Sequence, residues 1–315
     1  MTESNPINSK YTVVFLMNGG KAPRGGELLV FYLITHLKKD IFHPILIYAE
    51  EGTVVKMIKA SVIDTIQIPL SNKITSVFPK DIIYNPIKLI GFFCSFIGSM
   101  YFFKVIKLLK KNNVNLIYSA DTLSKIAGGV SGKWLGIKVV AHCNADYSSQ
   151  MFQNATGKLL KIIDTFFLDE IIAVSDKVRE FFKNDKMFSM VKTIYNGVDT
   201  NFYNPDKTDN KILDDLNLGK STIKIGIIGS IEKFKGQIYL IKAVEKLNTE
   251  GVTNLSCLIC GAGPEEENLR KYVMEKKMGK QVFFLGFRED LPRIMKILDI
   301  LVITSFVESF SMVAA

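Results

Sequence analysis

A chain of 315 residues is long enough for two domains of ordinary size, and 48% hydrophobic against 23% charged residues excludes an extended disordered protein. The net charge of +9 is uneven: residues 1–205 carry 24 Lys and Arg against 16 Asp and Glu, and residues 206–315 carry 16 against 15. A positive first half suits an anionic surface such as a bilayer, a solvated lysine-rich face explains it equally, and no nucleic-acid motif accompanies it.

Short β-branched apolar runs alternate with longer helical patterns, as in parallel α/β sheets. Met1–Lys10 is polar and holds no signal-peptide apolar stretch. Tyr11–Met17 reads as the first strand, Gly25-Gly26 as a break, and Glu27–Lys39 as a helix. Pro44–Ala49 and Thr65–Ile68 read as strands around a short helix, Thr53–Ala60. A long helical stretch, Asn85–Lys111, precedes the strand Val114–Tyr118. Within it, Leu89–Phe103 holds fifteen uncharged residues between Lys88 and the cluster Lys104, Lys107, Lys110 and Lys111. That run is short for a membrane span, and it reads either as a buried helix or as an interfacial helix with a basic collar. Thr122–Trp134 follows as a helix, and Lys138–Ala141 as a strand ending at His142. Asp169–Val174 and Val191–Ile194 are strands, and Ser175 caps a helix running to Lys183.

The texture then changes. Asn196–Asn210 is rich in Asn, Asp, Gly and Pro and reads as an interdomain linker, dividing residues 1–200 from residues 201–315. A second series follows: strand Ile223–Ile228, helix Gly236–Leu247, strand Leu255–Cys260, helix Pro264–Lys276, strand Val282–Leu285, helix Leu291–Ile297 and strand Ile300–Thr304. Ser309–Ala315 reads as the first turns of a further helix. Two doubly wound domains facing a cleft place ligands beyond the carboxyl ends of their strands, so the loops after Met17, Ala141, Ile228, Cys260, Leu285 and Thr304 are where chemistry belongs.

Those loops hold several candidates. The first, Asn18 to Glu27, is glycine-rich and leads into a helix N-terminus suited to a phosphate or sugar, although it lacks dinucleotide-fold and P-loop spacing, and a plain turn explains it equally. Lys233 and Lys235 lie between a strand and a helix, where positive charge can meet a departing diphosphate, and Lys233 also reads as a solvated lysine. Glu308 follows an apolar strand, either as a sugar-binding carboxylate or as a first-turn helix acid. His142 ends a strand, a place where a hydrogen-bonded structural histidine is common, and nothing around His36 or His43 singles them out. No D-x-D pair exists to hold a metal-bound diphosphate. Cys257 and Cys260 form a C-x-x-C inside one apolar strand, which turns them to opposite faces, and no second pair completes a zinc site. With Cys94 and Cys143 they lack framework spacing, which points to a reducing, cytoplasmic setting.

Taken in order and spacing, these segments resemble glycosyltransferase family 4. Gly25-Gly26-Glu27 is similar to its Gly-Gly-x-Glu loop, shortened by one residue, and His142 stands at its strand-end histidine. Tyr195-Asn196-Gly197-Val198-Asp199 with Phe202 resembles its linker, Lys235-Gly236 its donor-domain Lys-Gly, and Gly261-Ala262-Gly263-Pro264 its Gly-x-Gly-Pro turn. Phe284-Leu285-Gly286, with Phe287 next to it, resembles the strand end beside the nucleotide base, and Glu308-Ser309-Phe310-Ser311 the start of Glu-x7-Glu. Ser230 stands where many members carry an arginine, and the second Glu of the motif would fall one position past Ala315.

The resemblance implies a GT-B fold of two Rossmann-like domains, an acceptor-side one over 1–200 and a donor-binding one over 201–315 that is incomplete. It also implies retaining transfer from a nucleotide-diphospho-sugar to a hydroxyl of a glycan or lipid-linked saccharide, without metal or other cofactor; the cysteines, the basic first half and the Leu89–Phe103 run place it in the cytoplasm, free or at the inner face of the membrane. Lys235, with the N–H groups of Ser309, Phe310 and Ser311, would serve the phosphates, Glu308 and His142 the sugar, Gly25 and Gly26 close backbone approach, and Phe287 the base. The chain without the second Glu is expected to bind donor poorly. Two rivals stand beside this reading. A catalytically silent homologue acting as a binding module is favoured by Ser230, and a sugar-nucleotide epimerase would need further carboxylates.

Overall fold

The first predicted strand, β1 (Tyr11–Met17), is buried from Thr12 onward, the pattern of a strand covered by helices on both faces. In the computed structural model it pairs in parallel with β2 (Phe42–Tyr48) on one side and β4 (Leu116–Ser119) on the other. The structure describes residues 10–19, 25–69, 87, 100–143, 161–162, 164–184, 186–207 and 222–315. They fall into two units, Met1–Asn196 and Gly197–Ala315.

The first unit adds β3 (Asp64–Gln67), β5 (Lys138–Cys143), β6 (Glu170–Ala173) and β7 (Val191–Thr193), in the order β3-β2-β1-β4-β5-β6-β7 with every pair parallel. The order reverses between β1 and β4, the switch point where doubly wound sheets open a crevice. Side-chain alternation sorts the two faces. Phe15, Met17, Tyr118 and Val140 face the side covered by α1 (Gly25–His36) and α2 (Thr53–Ala60), through Val30, Ile34, Val54, Val55 and Ile58. On the opposite face lies α4 (Thr122–Leu135), brought close by glycine. A Cβ at Gly128 would stand 2.5 Å from Ser119 Oγ, and one at Gly132 would stand 2.2 Å from Val139. The helix α3 (Met100–Lys111) buries Tyr101, Val105 and Leu109 at four-residue spacing and exposes Lys104, Lys107, Lys110 and Lys111.

The second unit carries β8 (Ile223–Ile228), β9 (Leu255–Cys260), β10 (Val282–Gly286) and β11 (Ile300–Leu301), parallel and in the order β10-β9-β8-β11. Cys257 and Ile259 pack with Leu240, Ile241, Val244, Leu269 and Val273, on α6 (Gln237–Thr249) and α7 (Glu266–Glu275). Leu258 turns the other way, onto Ile294 and Ile297 of α8 (Leu291–Ile297). The two cysteines are buried as free thiols on a strand with no exposed position, and burial pushes Cys257 up to about 12 and Cys260 to about 11.

Several predicted boundaries move. Gly25 and Gly26 form the first turn of α1, where backbone N–H groups need no helical partner, so they do not break the chain before it. The helix after Ser175 is α5 (Asp176–Glu180) and ends early, because Phe182 and Lys183 close tighter turns onto Arg179 and Glu180. β11 stops at Leu301: it pairs only with β8 among the described strands, and Thr304 is drawn away to the Lys235 carbonyl. No helix forms over Ser309–Ala315. A single turn closes there, with Ala314 N and Ala315 N both donating to Ser311 O at 3.2 Å, and one such turn does not repay helix nucleation. Residues 20–24 of the first loop, most of the Leu89–Phe103 run including Cys94, and 208–210 of the predicted linker lie outside the described residues.

Candidate active site

In the second unit the strand-end loops are stitched to one another by backbone contacts that leave no room for side chains. Gly261 has φ +143°, and a Cβ there would stand 1.9 Å from the Gly229 carbonyl oxygen. A Cβ at Gly263 would stand 2.2 Å from the Ile231 carbonyl oxygen. Gly229 N donates to Cys260 O at 2.9 Å, Ile231 N to Ala262 O at 3.0 Å, and Gly261 N to Gly286 O at 2.8 Å. The Gly-x-Gly-Pro turn is thus the piece that lets the loops after β8 and β9 and the end of β10 share one rim.

A second junction joins the loop after β8 to the chain after β11. Gly236 takes φ +69° between a single 3-10 turn, Lys233–Lys235, and α6, with its Cβ position 2.4 Å from Thr304 O. Thr304 Oγ1 donates to Lys235 O at 2.8 Å, Phe306 N to Phe234 O at 2.9 Å, and Tyr239 meets Phe306 edge-on at 5.4 Å. This brings together Lys235 and Glu308, which are 73 positions apart in the chain: Lys235 Nζ donates to Glu308 Oε1 at 2.6 Å, and Ser305 Oγ to the same oxygen at 2.7 Å. Both side chains are about one quarter exposed, at 24% and 27%. An ammonium has three N–H donors and Glu308 takes one, so a second anion can be bound without breaking the pair.

The other second-unit candidates lie around these junctions. Lys233 is exposed. The Ser230 carbonyl accepts from the Nε2 of buried Gln237 at 2.8 Å. Ser309, Phe310 and Ser311 are partly buried in irregular chain, so their N–H groups are not a helix N-terminus as anticipated. Phe287 is 44% exposed, just past Gly286 and beside Arg288, whose guanidinium makes two 2.7 Å bonds to Asp290. That fork holds the Asp290 carboxyl below its usual range.

In the first unit the strand ends are held by side chains. Asp121 caps α4: its Oδ1 accepts from Ser124 N at 2.9 Å, and Ser124 Oγ accepts from Asp121 N at 2.8 Å. Its Oδ2 accepts from Asn18 N at 2.7 Å, tying the ends of β1 and β4 together at the switch point. Gly19, at φ +82°, leaves no space for a Cβ, which would stand 2.1 Å from Glu50 O. His142 is buried in β5, its Nδ1 2.5 Å from the Tyr118 hydroxyl. Burial, and then the positive charge of Lys125, lower its pKa to about 4, so the imidazole is neutral at physiological pH. Among the described residues no atom lies within 4 Å of the Cβ position of Gly25. A shallow cavity of about 170 Å³ lies at the opposite end of β5, near Lys133, Lys138 and Phe166, away from all these groups.

Sequence reasoning passed over two residues that shape these sites. Asp121 had a local signal, an Asp three residues ahead of Ser at a helix start. Tyr118 had none, because its contact with His142 depends on the register of β4 against β5. Among the described residues no group of three or more His, Cys, Asp or Glu side chains is placed to hold a metal ion.

Comparisons with known proteins follow the two units. The family model described as Glycosyltransferase Family 4 matches residues 23–202, and that described as Glycosyl transferases group 1 matches residues 208–315. The chain is 22% identical over 211 residues to the UDP-Gal:alpha-D-GlcNAc-diphosphoundecaprenol alpha-1,3-galactosyltransferase of Escherichia coli, covering 64% of this chain and 54% of that protein. It is 31% identical over 133 residues to the D-inositol 3-phosphate glycosyltransferase of Corynebacterium efficiens, covering 39% and 31%. The chain thus spans about half the length of the first relative and about a third of the second. Among solved structures, Anabaena HepE in complex with UDP and glucose superposes with a TM-score of 0.77 at 20% identity, over 96% of this chain and 77% of that one. The pneumococcal O-GlcNAc transferase GtfA, in complex with UDP and GlcNAc, gives 0.67 at 13%, over 96% and 81%. These likenesses carry the fold, two parallel α/β units as in GT-B glycosyltransferases. With the first family model alone spanning more than half of the sequence, the chain belongs to Glycosyltransferase Family 4.

Proposed function

We propose that this protein is a retaining glycosyltransferase that moves a sugar from a nucleotide-diphospho-sugar to a hydroxyl acceptor, with the second unit binding the donor and no metal taking part. The observation that supports this most is the convergence of Lys235 and Glu308 on glycine-built loops beyond β8 and β11. Breaking the bond between sugar and diphosphate builds negative charge on the leaving phosphate, and a fixed ammonium stabilises it there. Lys235 is that ammonium, with two N–H donors to spare. Glu308 accepts from sugar hydroxyls, the backbone of residues 309–311 offers N–H groups to the phosphates, and Phe287 lies along the base. Gly25 and Gly26 open α1 to close ligand approach, and His142 donates to the sugar. Calorimetric titration with UDP-glucose tests the core of this reading. Lys235→Ala removes a charge-assisted bond and should weaken binding roughly ten- to hundredfold, whereas Lys233→Ala should leave it within about twofold. Equal affinities in all three proteins would remove Lys235 from the site.

The acceptor is a lipid-linked saccharide in this reading, as the name of the Escherichia coli relative states for that enzyme. Among the described residues no helix is long and apolar enough to cross a membrane. Instead α3 presents four exposed lysines, with Phe103 59% exposed beside Lys104, a face suited to anionic headgroups at the cytoplasmic surface. Co-sedimentation with phosphatidylglycerol vesicles should fall steeply as salt rises. Binding to neutral vesicles at the same level, or to neither, would count against the membrane assignment.

A further inference from the structure

Tyr118 and His142 form a buried pair on neighbouring strands. The register sets Tyr118 opposite Val140, and a step of two along β5 brings His142 to the same sheet face. Their rings meet edge-on with centroids 6.0 Å apart, and the hydroxyl lies 2.5 Å from Nδ1. The second ring nitrogen, Nε2, is buried and has no hydrogen-bond partner among the described residues.

Two proton arrangements satisfy the short contact. If the phenol donates to Nδ1, its hydrogen and the Nδ1 lone pair are both used, and the ring proton sits on Nε2 as one unpaired donor. If Nδ1–H donates to the phenol oxygen, the phenolic hydrogen has no acceptor among the described residues and Nε2 becomes a bare buried lone pair. The second arrangement strands two polar groups where the first strands one, so the first is favoured. Burial also raises the Tyr118 pKa and keeps the phenol protonated and able to donate.

We propose that Tyr118 is a positioning residue for His142: its hydroxyl holds the imidazole in the Nε2–H tautomer, so that His142 offers a ligand one directed hydrogen-bond donor and no basic nitrogen. The proposal rests on the reading above in so far as that ligand is the donor sugar, whose oxygens accept such a bond. With Nδ1 occupied by the phenol and Nε2 carrying hydrogen, His142 does not take the proton of the acceptor hydroxyl. It orients the sugar, and the reaction's proton leaves by another group.

The tautomer is directly observable. The chain has three histidines, His36, His43 and His142, so long-range proton–nitrogen correlation spectra of isotope-labelled protein at neutral pH resolve them, with His142→Gln identifying the third. The expected pattern for His142 is an unprotonated Nδ1 and a protonated Nε2, relaxing towards a mixture of tautomers in Tyr118→Phe. UDP-glucose turnover should fall roughly two- to tenfold in kcat for Tyr118→Phe, the loss of one hydrogen bond's worth of orientation, with KM within about twofold. His142→Gln, which keeps an N–H near the Nε2 position, should outperform His142→Ala. A protonated Nδ1 in the unmodified protein, or a tautomer unchanged by Tyr118→Phe, would overturn the proposal whatever the turnover. The expected tautomer together with wild-type turnover in His142→Ala would instead overturn the sugar contact and leave the tautomer lock standing.

Discussion

Both units carry their candidate groups at the carboxyl ends of parallel strands, but they build that edge from different materials. In the second unit the backbone does it: Gly236, Gly261 and Gly263 let loops touch main chain to main chain, and only then do Lys235 and Glu308 meet at 2.6 Å. Those charges stay partly exposed, so they can exchange or share partners with an incoming anion. In the first unit side chains do it: Asp121 ties β1 to β4, and Tyr118 fixes a histidine that burial keeps uncharged. The contrast suits the two tasks proposed for these groups, a charged rim for phosphate and a neutral, directed donor for a group without charge.

Gly261→Ala should damage the backbone-built rim most. A Cβ 1.9 Å from a carbonyl oxygen, at φ +143°, cannot be absorbed by a side-chain rotation, so the rim itself has to move. The expected cost is more than about 3 kcal/mol of stability, with nucleotide-sugar binding lost as well, by denaturant titration and calorimetry. A stable variant with unchanged affinity would show that the close approach is not what shapes the site.

The buried histidine of the first unit makes stability depend on pH. His142 titrates at about 4 in the folded chain against about 6.5 unfolded, so between those values the unfolded chain binds more protons. Stability from this group is therefore whole above about pH 6.5 and is lost as pH falls towards 4, by up to about 3 kcal/mol. In His142→Gln that part of the acid slope should vanish. An identical slope in the two proteins would mean that the histidine is not held neutral in the fold.

Much of this was legible beforehand, and what was not has a physical reason. Tyr11–Met17, Ile223–Ile228 and Leu255–Cys260 are strands with the predicted ends, because each is a largely apolar, β-branched run, broken by a single polar residue near its start (Thr12, Lys224, Ser256), that Asn18, Gly229 or Gly261 then stops. The glycine turn at Gly261-Ala262-Gly263-Pro264 was also readable, since a backbone requirement leaves its trace at adjacent positions. Contacts between distant residues leave no such trace. Lys235 and Glu308 each stand out in sequence, yet their pairing follows from how the chain after β11 returns to the loop after β8. In sequence Tyr118 reads only as the end of a strand, because its partner lies 24 residues on and is chosen by sheet register. The expected helix over Ser309–Ala315 does not form: only a single turn closes there, on the Ser311 carbonyl.

If Lys235 holds the phosphates and Glu308 the sugar, Lys235→Ala and Glu308→Gln should change the affinities for UDP and for UDP-glucose differently. Lys235→Ala should weaken both ligands by roughly ten- to hundredfold. Glu308→Gln replaces the charged acceptor of the sugar hydroxyls by a neutral amide and frees the ammonium of Lys235, so UDP should bind at least as well as before while UDP-glucose weakens roughly tenfold or more. If Glu308→Gln weakened UDP as much as UDP-glucose, or if neither variant changed either affinity, this division of labour would be contradicted.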